Sequence, residues 1–183
     1  MGTANLFVLT GAPGTGKTAI LDRIGAGIRR MGEPAREVLA EQRAVGGAGT
    51  HDHDPSLFVE LLLERSIDKY RTAQGWAKEW EGPVVFDRGV PDCVAYAVLM
   101  GTDPTAALAA CERYRYRSEV LVVMPRNEIY VTDAERTMSF ADTIPFHAAL
   151  MDAYERAGYS LVEVPRDSAE NRALFVREFV ARH

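Results

Sequence analysis

Leu6-Phe7-Val8-Leu9-Thr10 runs directly into Gly11-Ala12-Pro13-Gly14-Thr15-Gly16-Lys17-Thr18, and this junction decides the fold. The segment Asn5 to Thr10 is a short continuous apolar run, the pattern of a strand buried on both faces of a parallel sheet. The eight residues after it complete a G-x-x-x-x-G-K-[ST] loop. Glycines at 11, 14 and 16 permit turns that a Cβ would obstruct, so successive N–H groups can converge on phosphate oxygens while the following helix offers its positive N-terminus. In such a cradle Lys17 reaches the β- and γ-phosphates and the Thr18 hydroxyl ligates Mg²⁺. Strand, loop and helix occur in the required order, so Gly11, Ala12, Pro13, Gly14, Thr15, Gly16, Lys17 and Thr18 read as a nucleotide-binding segment, with ATP and Mg²⁺ as its ligands. No Asn-Lys-x-Asp guanine signature is present, which makes ATP the default over GTP.

Outward from the loop, the helix runs to about Ile24, where Gly25-Ala26-Gly27 stops it, and Ile28 to Met31 reads as a short second strand. Pro34 opens a helix that Gly46-Gly47 closes. A long helix begins near Asp54-Pro55 and buries Phe58, Leu61, Leu62 and Ile67. Pro83 to Asp87 is a third strand, apolar until its last residue. Helices at Pro91 to Met100 and Pro104 to Tyr114 lead to a β-branched strand at Glu119 to Met124. Phe140, Ile144, His147, Met151 and Tyr154 form one stripe of a helix ending at Gly158. Ser160 to Val164 is a last strand, and Leu174, Phe175, Phe179 and Val180 belong to a closing helix. Alternation of strands and helices predicts an α/β fold with a parallel sheet of about five strands in a three-layer P-loop arrangement, as one domain over residues 1–183.

Composition excludes several functions. The net charge is −5 over 183 residues, with no long Lys/Arg block, which argues against an electrostatic hold on nucleic acid. Cys93 and Cys111 are the only cysteines, too few for a disulfide framework or a zinc site, so a reducing cytoplasm is the expected compartment. No apolar run has the length of a membrane span. The expected partner is a small-molecule acceptor, and the oligomeric state stays open, a homodimer included. His51-Asp52-His53-Asp54 alternates in a Gly-flanked loop without further His or Cys ligands and reads as a solvated loop or helix cap.

Asp87 closes its strand immediately before Arg88. Open α/β sheets bind their ligands at that edge. An acid there can hold a Mg²⁺-bound water or take the proton of an attacking hydroxyl, and the adjacent arginine can fix a polar or anionic acceptor. The alternative is an Asp that merely caps the next helix. Glu33 and Arg36 stand beside Asp87 if Ile28 to Met31 is a strand, where they could grip a polyhydroxylated or charged acceptor. Glu33 reads equally as a helix-start acid favoured by the dipole. Phe58, Trp76, Trp80 and Tyr96 are possible walls for a ring, with ordinary packing the favoured reading.

Four stretches together carry a resemblance: Asp87-Arg88-Gly89-Val90-Pro91-Asp92, Glu33-Pro34-Ala35-Arg36, Tyr130-x-Thr132-Asp133-x-Glu135-Arg136 and Gly158-Tyr159-x-Leu161-Val162-x-Val164-Pro165. The chain resembles a family of small bacterial P-loop proteins labelled AAA-type ATPases or kinase-like, similar in layout to nucleoside and nucleotide kinases, the ribosylnicotinamide kinases among them. The resemblance covers nearly the whole chain and names no substrate. It implies an Asp-Arg motif at the acceptor site and a lid over Arg126 to Thr137 whose Arg126 and Arg136 close on the moving phosphoryl charge. The function it implies is ATP- and Mg²⁺-dependent phosphotransfer to a hydroxyl or phosphate of a small metabolite, such as a nucleoside or nucleotide. Lys17, Asp87, Arg88, Arg126 and Arg136 are the expected catalytic residues, Thr18 and Asp87 the metal side, and Glu33, Arg36 and Arg88 the acceptor side. A P-loop ATPase or nucleotide switch acting on a protein partner is the alternative.

Overall fold

A computed structural model describes residues 5–76, 79–125 and 140–183. The elements follow in the order β1 (Leu6–Thr10), α1 (Lys17–Leu21), β2 (Arg29–Met31), α2 (Pro34–Val45), α3 (Pro55–Trp76), β3 (Val84–Asp87), α4 (Val90–Met100), α5 (Thr105–Arg113), β4 (Glu119–Val122), α6 (Phe140–Arg156), β5 (Ser160–Glu163) and α7 (Ala169–Arg182). The five strands form one sheet in the order β2-β3-β1-β4-β5, and every pairing is parallel. The expected α/β sheet is therefore present, with β1 at its centre.

Pleating of β1 explains the layers. Leu6 and Val8 point into a core shared with α2 to α6, whereas Phe7 and Leu9 point to the opposite side, against Ile20 of α1 and Val176 and Phe179 of α7. Because both faces are covered, strand side chains from Leu6 to Thr10 are all buried, which is why the sequence lacks alternation there. The register sets Leu9 against Asp87 and Met31 against Phe86, so β1, β2 and β3 end at the same edge. The loop after β1, Asp87 and the residues after Met31 are thereby brought together.

Three details differ from the sequence reading. Helix α1 ends at Leu21 and not near Ile24. The buried face of α6 is carried by Thr143, Phe146, His147, Leu150, Ala153 and Tyr154, and Ile144 is half exposed at 50%. Packing of α6 against α4 selects this stripe over the neighbouring one, which has the same period. Leu174 of α7 is also exposed, and Ala173 takes the inward position. No helix among the described residues is long and apolar enough to cross a membrane.

Candidate active site

The loop between β1 and α1 has the geometry its glycines require. Gly11, Gly14 and Gly16 have φ values of 146°, 78° and 88°. A Cβ on Gly11 would lie 2.4 Å from the Val123 carbonyl oxygen, and one on Gly16 would lie 2.9 Å from Nη2 of Arg172. Both positions therefore exclude a side chain through backbone conformation and contact alike. The Thr15 hydroxyl donates to the Ala12 carbonyl at 2.9 Å, closing the loop on itself. Arg172 of α7, buried, donates from Nη1 to the Thr15 carbonyl at 3.0 Å and so braces the loop from outside.

Lys17 is folded back into the loop, its Nζ donating to the carbonyls of Gly11 at 2.8 Å and Ala12 at 3.1 Å. Burial, reinforced by the nearby Arg88 charge, pulls its pKa down to about 8, while Asp87 and Glu33 oppose the shift. Asp87 is 4% exposed at the end of β3. Burial pushes its carboxyl up to about 6; Lys17 works against this and Glu33 adds to it. Its Oδ1 has no hydrogen-bond partner. Thr18 stands exposed at the start of α1. Thr18 and Asp87 thus supply oxygen donors of the hard type that Mg²⁺ takes, one open and one unsatisfied, and the loop offers the cradle that a triphosphate needs. No cluster of three or more His, Cys, Asp or Glu side chains that could hold a metal exists among the described residues.

Arg88 is the connecting residue. It has φ 75°, a left-handed conformation uncommon for a residue with a Cβ, and is 2% exposed. Its Nε donates to Glu33 Oε1 at 2.7 Å and its Nη1 to Asp92 Oδ1 at 2.9 Å, while Nη2 has no partner. These two carboxylates hold the strained backbone in place. Burial would raise Glu33, but the charges of Arg88 and then Lys17 outweigh it and hold the carboxyl down at about 2. Arg36 Nε lies 3.6 Å from the second oxygen of Glu33. Glu33 is thus both the residue that starts α2 and an acid of the site, so the two readings of the sequence are compatible.

Asp92 went unassigned in the sequence. It accepts from Thr10 Oγ1 at 2.9 Å, Arg88 Nη1 at 2.9 Å, Gly89 N at 2.9 Å and Tyr154 OH at 2.5 Å. A single buried carboxylate therefore ties β1, the β3–α4 turn and α6 together. Its sequence signal was an acid three residues after Gly89 at a helix start with Pro91 between them, a capping pattern.

A cavity of about 500 Å³ opens beside the loop, lined by Lys17, Thr18, Glu33, Arg36 and Arg88 at one end. The rest of the wall mixes the charged Arg43, Asp52 and Asp142 with apolar side chains, notably Phe58, Tyr96 and Phe146. Their rings meet edge to face, with centroids 5.8 Å apart for Phe58 and Tyr96 and 4.9 Å for Tyr96 and Phe146. Asp87 lies behind this wall and not on it. Phe58 and Tyr96, for which packing was the favoured reading, line the cavity. Trp76 and Trp80 do not; they hold the Arg29 guanidinium, 5.0 Å from each ring. His51 and Asp52, expected as solvated loop, also reach the cavity wall, and Asp54 caps α3 by accepting from Leu57 N at 3.0 Å. Arg126, Arg136 and the rest of the expected lid lie outside the described residues.

Comparison with known proteins agrees with this layout. No curated protein matches the sequence. The NadR protein in complex with NR has a similar structure, with TM-score 0.72 and 18% identity over 98% of this chain and 50% of that one. The chain thus spans half the length of that protein. Thymidylate kinase from Ehrlichia chaffeensis is similar with TM-score 0.58 and 12% identity, over 98% of this chain and 100% of that one. At such identities the likeness is one of fold, the P-loop kinase fold. A family model described as AAA domain matches residues 6–172, from β1 to the arginine that braces the loop. The chain belongs to this AAA domain family of P-loop proteins.

Proposed function

We propose that the chain is an ATP- and Mg²⁺-dependent phosphotransferase that phosphorylates a hydroxyl of a small metabolite carrying a ring or other apolar body. The observation that carries this reading is the walled cavity beside the phosphate loop, with an ionised acid, Glu33, at the end nearest Lys17. A hydrolase needs only a water there, whereas an open cavity of this size with an aromatic wall has room for a second substrate. Glu33, held between Arg88 and Arg36, can accept from a hydroxyl of that substrate.

In this reading the loop amides, Lys17 and Thr18 hold the triphosphate, and Thr18 with Asp87 holds Mg²⁺. Bound there, the magnesium nucleotide supplies the transferable phosphoryl group and neutralises part of its charge. Glu33 and Arg88 orient the acceptor, the second held rigid by Asp92. Asp87, set back from the cavity wall and raised by burial to about 6, would take the proton of the attacking hydroxyl through one water. Phe58, Tyr96 and Phe146 exclude water and seat the apolar body. Arg126 and Arg136, outside the described residues, would neutralise the developing charge. We place the reaction in the cytoplasm. The switch alternative would act through the expected lid, and no described residue favours it.

Paired acceptors test the reading: alcohols of nucleoside size and their phosphate monoesters, each offered with ATP and Mg²⁺. Expected is ADP formation with an alcohol and not with its ester. Transfer to the esters alone contradicts the assignment of Glu33.

A further inference from the structure

His147 stands on the inner face of α6, nine-tenths buried, and neither Nδ1 nor Nε2 has a hydrogen-bond partner. Its neighbours along the helix belong to the site. Phe146 lines the cavity, and Tyr154, two turns further, donates to Asp92. The charged groups that act on the imidazole are Lys17 at the start of α1 and Glu163 at the end of β5. Tyr154 is fixed at Asp92 and Gly89, beside the end of β1, so His147, two turns nearer the start of α6 on the same buried face, lies beyond that sheet edge on the side of the loop. A neutral imidazole offers one donor and one acceptor, and burying both without partners is unfavourable, whereas a leucine of similar bulk would pack there without that penalty. Burial, with the Lys17 charge, pushes its pKa down, so the ring is neutral at pH 7 and keeps an N–H.

Asp87 Oδ1 and Arg88 Nη2 share this unsatisfied state, and both residues act electrostatically on the same lysine. The two donors among them, the imidazole N–H and Arg88 Nη2, suit acceptor oxygens of a ligand, while the Asp87 oxygen suits a hydroxyl or a cation. Lys17 itself is turned onto the Gly11 and Ala12 carbonyls.

We propose that His147 is a phosphate-binding residue, its imidazole donating an N–H to the terminal phosphoryl group of the triphosphate held by the loop. This rests on the proposed function only for the presence of a triphosphate; it requires no particular acceptor.

The test uses the full chain with ATP and Mg²⁺, and in parallel ADP and Mg²⁺, by titration calorimetry, for wild type, His147→Leu and His147→Asn. A hydrogen bond to a charged group corresponds to a loss of about 10- to 100-fold in affinity. Expected for His147→Leu is a loss of that size for ATP and less than about twofold for ADP, which lacks the contacted group. The ligand-free thermal midpoint should be equal to or above that of wild type. His147→Asn, which keeps an N–H, should regain most of the ATP affinity. Unchanged affinity for both nucleotides, an equal fall for both, or a His147→Leu chain that unfolds or melts earlier would each overturn the proposal and make the residue structural. A wild-type chain that binds neither nucleotide overturns this inference and the phosphate-loop reading together. A chain that shows the expected ATP-selective loss yet phosphorylates no acceptor contradicts the phosphotransferase reading alone.

Discussion

Asp92→Asn removes one charge and no volume, and its cost can be worked from the contacts around the carboxylate. Asp92 and Arg88 are each 2% exposed, so their pairing at 2.9 Å lies out of reach of solvent screening. Removing one member of such a pair costs about 3–5 kcal/mol, because the other charge stays buried. Glu33 still faces Arg88, which places the expected loss at the lower end, about 3 kcal/mol. The amide also sets its own N–H groups against at least one donor among Thr10 Oγ1, Gly89 N and Tyr154 OH. For a chain of 183 residues each kcal/mol moves the thermal midpoint by about 2–4 °C, so the variant should melt about 6–12 °C early. Circular dichroism of the ligand-free chain measures this, with Tyr154→Phe as the comparison that loses a single hydroxyl. A double-mutant cycle with Arg88→Met separates the ion pair from the other bonds and should give a coupling of at least about 1 kcal/mol. A midpoint within 2 °C of wild type, or additivity within about 0.5 kcal/mol, would refute the view of Asp92 as the residue that holds the site together.

Lys17→Met should abolish triphosphate binding and yet raise the ligand-free thermal midpoint by several degrees, since the ammonium is buried and its pKa is held below the usual lysine range; calorimetry and a melt on the same sample check both. Asp87 has a folded pKa raised to about 6, so the stability it contributes is present below the ordinary carboxylate pKa near 4 and is lost as pH rises through about 6. Asp87→Asn should therefore be more stable than wild type above pH 6 in the ligand-free chain, by up to about 3 kcal/mol, while losing transfer. A flat stability difference between pH 4 and 8 contradicts this. Gly11→Ala should lose nucleotide binding, because its Cβ would meet the Val123 carbonyl at 2.4 Å; affinity within threefold of wild type would show that the loop tolerates the shift.

Most of the fold was legible because its signals are local. The apolar run of β1, the glycines of the loop and the acid that ends β3 each declare their role within a few residues. The phase of α6 was not, because the stripe through Ile144 and Met151 competes with the one through Phe146, Leu150 and Ala153, and only contact with α4 separates them. That Glu33, Asp87 and Arg88 lie together was legible because each sits at the end of a strand or the start of a helix. Asp92 was quoted in the motif but left without a role, since its partners Thr10 and Tyr154 lie 82 and 62 residues away. Arg172 was missed for the same reason, bracing a carbonyl 157 residues upstream. The cavity wall shows the limit of residue type as a guide: of the four aromatics considered, Phe58 and Tyr96 reach it and the two tryptophans do not.

The measurement that bears most directly on the account is the acceptor dependence of ADP release. The full chain with ATP and Mg²⁺ is incubated with a pool of hydroxyl-bearing metabolites, ADP is followed by a coupled assay, and the products are resolved by mass spectrometry. The account predicts little ADP without the pool, rapid release with one class of acceptor, a product heavier by one phosphoryl group, and loss of that product in Asp87→Asn. ADP formed at the same rate with and without every acceptor, with no phosphorylated product, would contradict it and leave an ATPase.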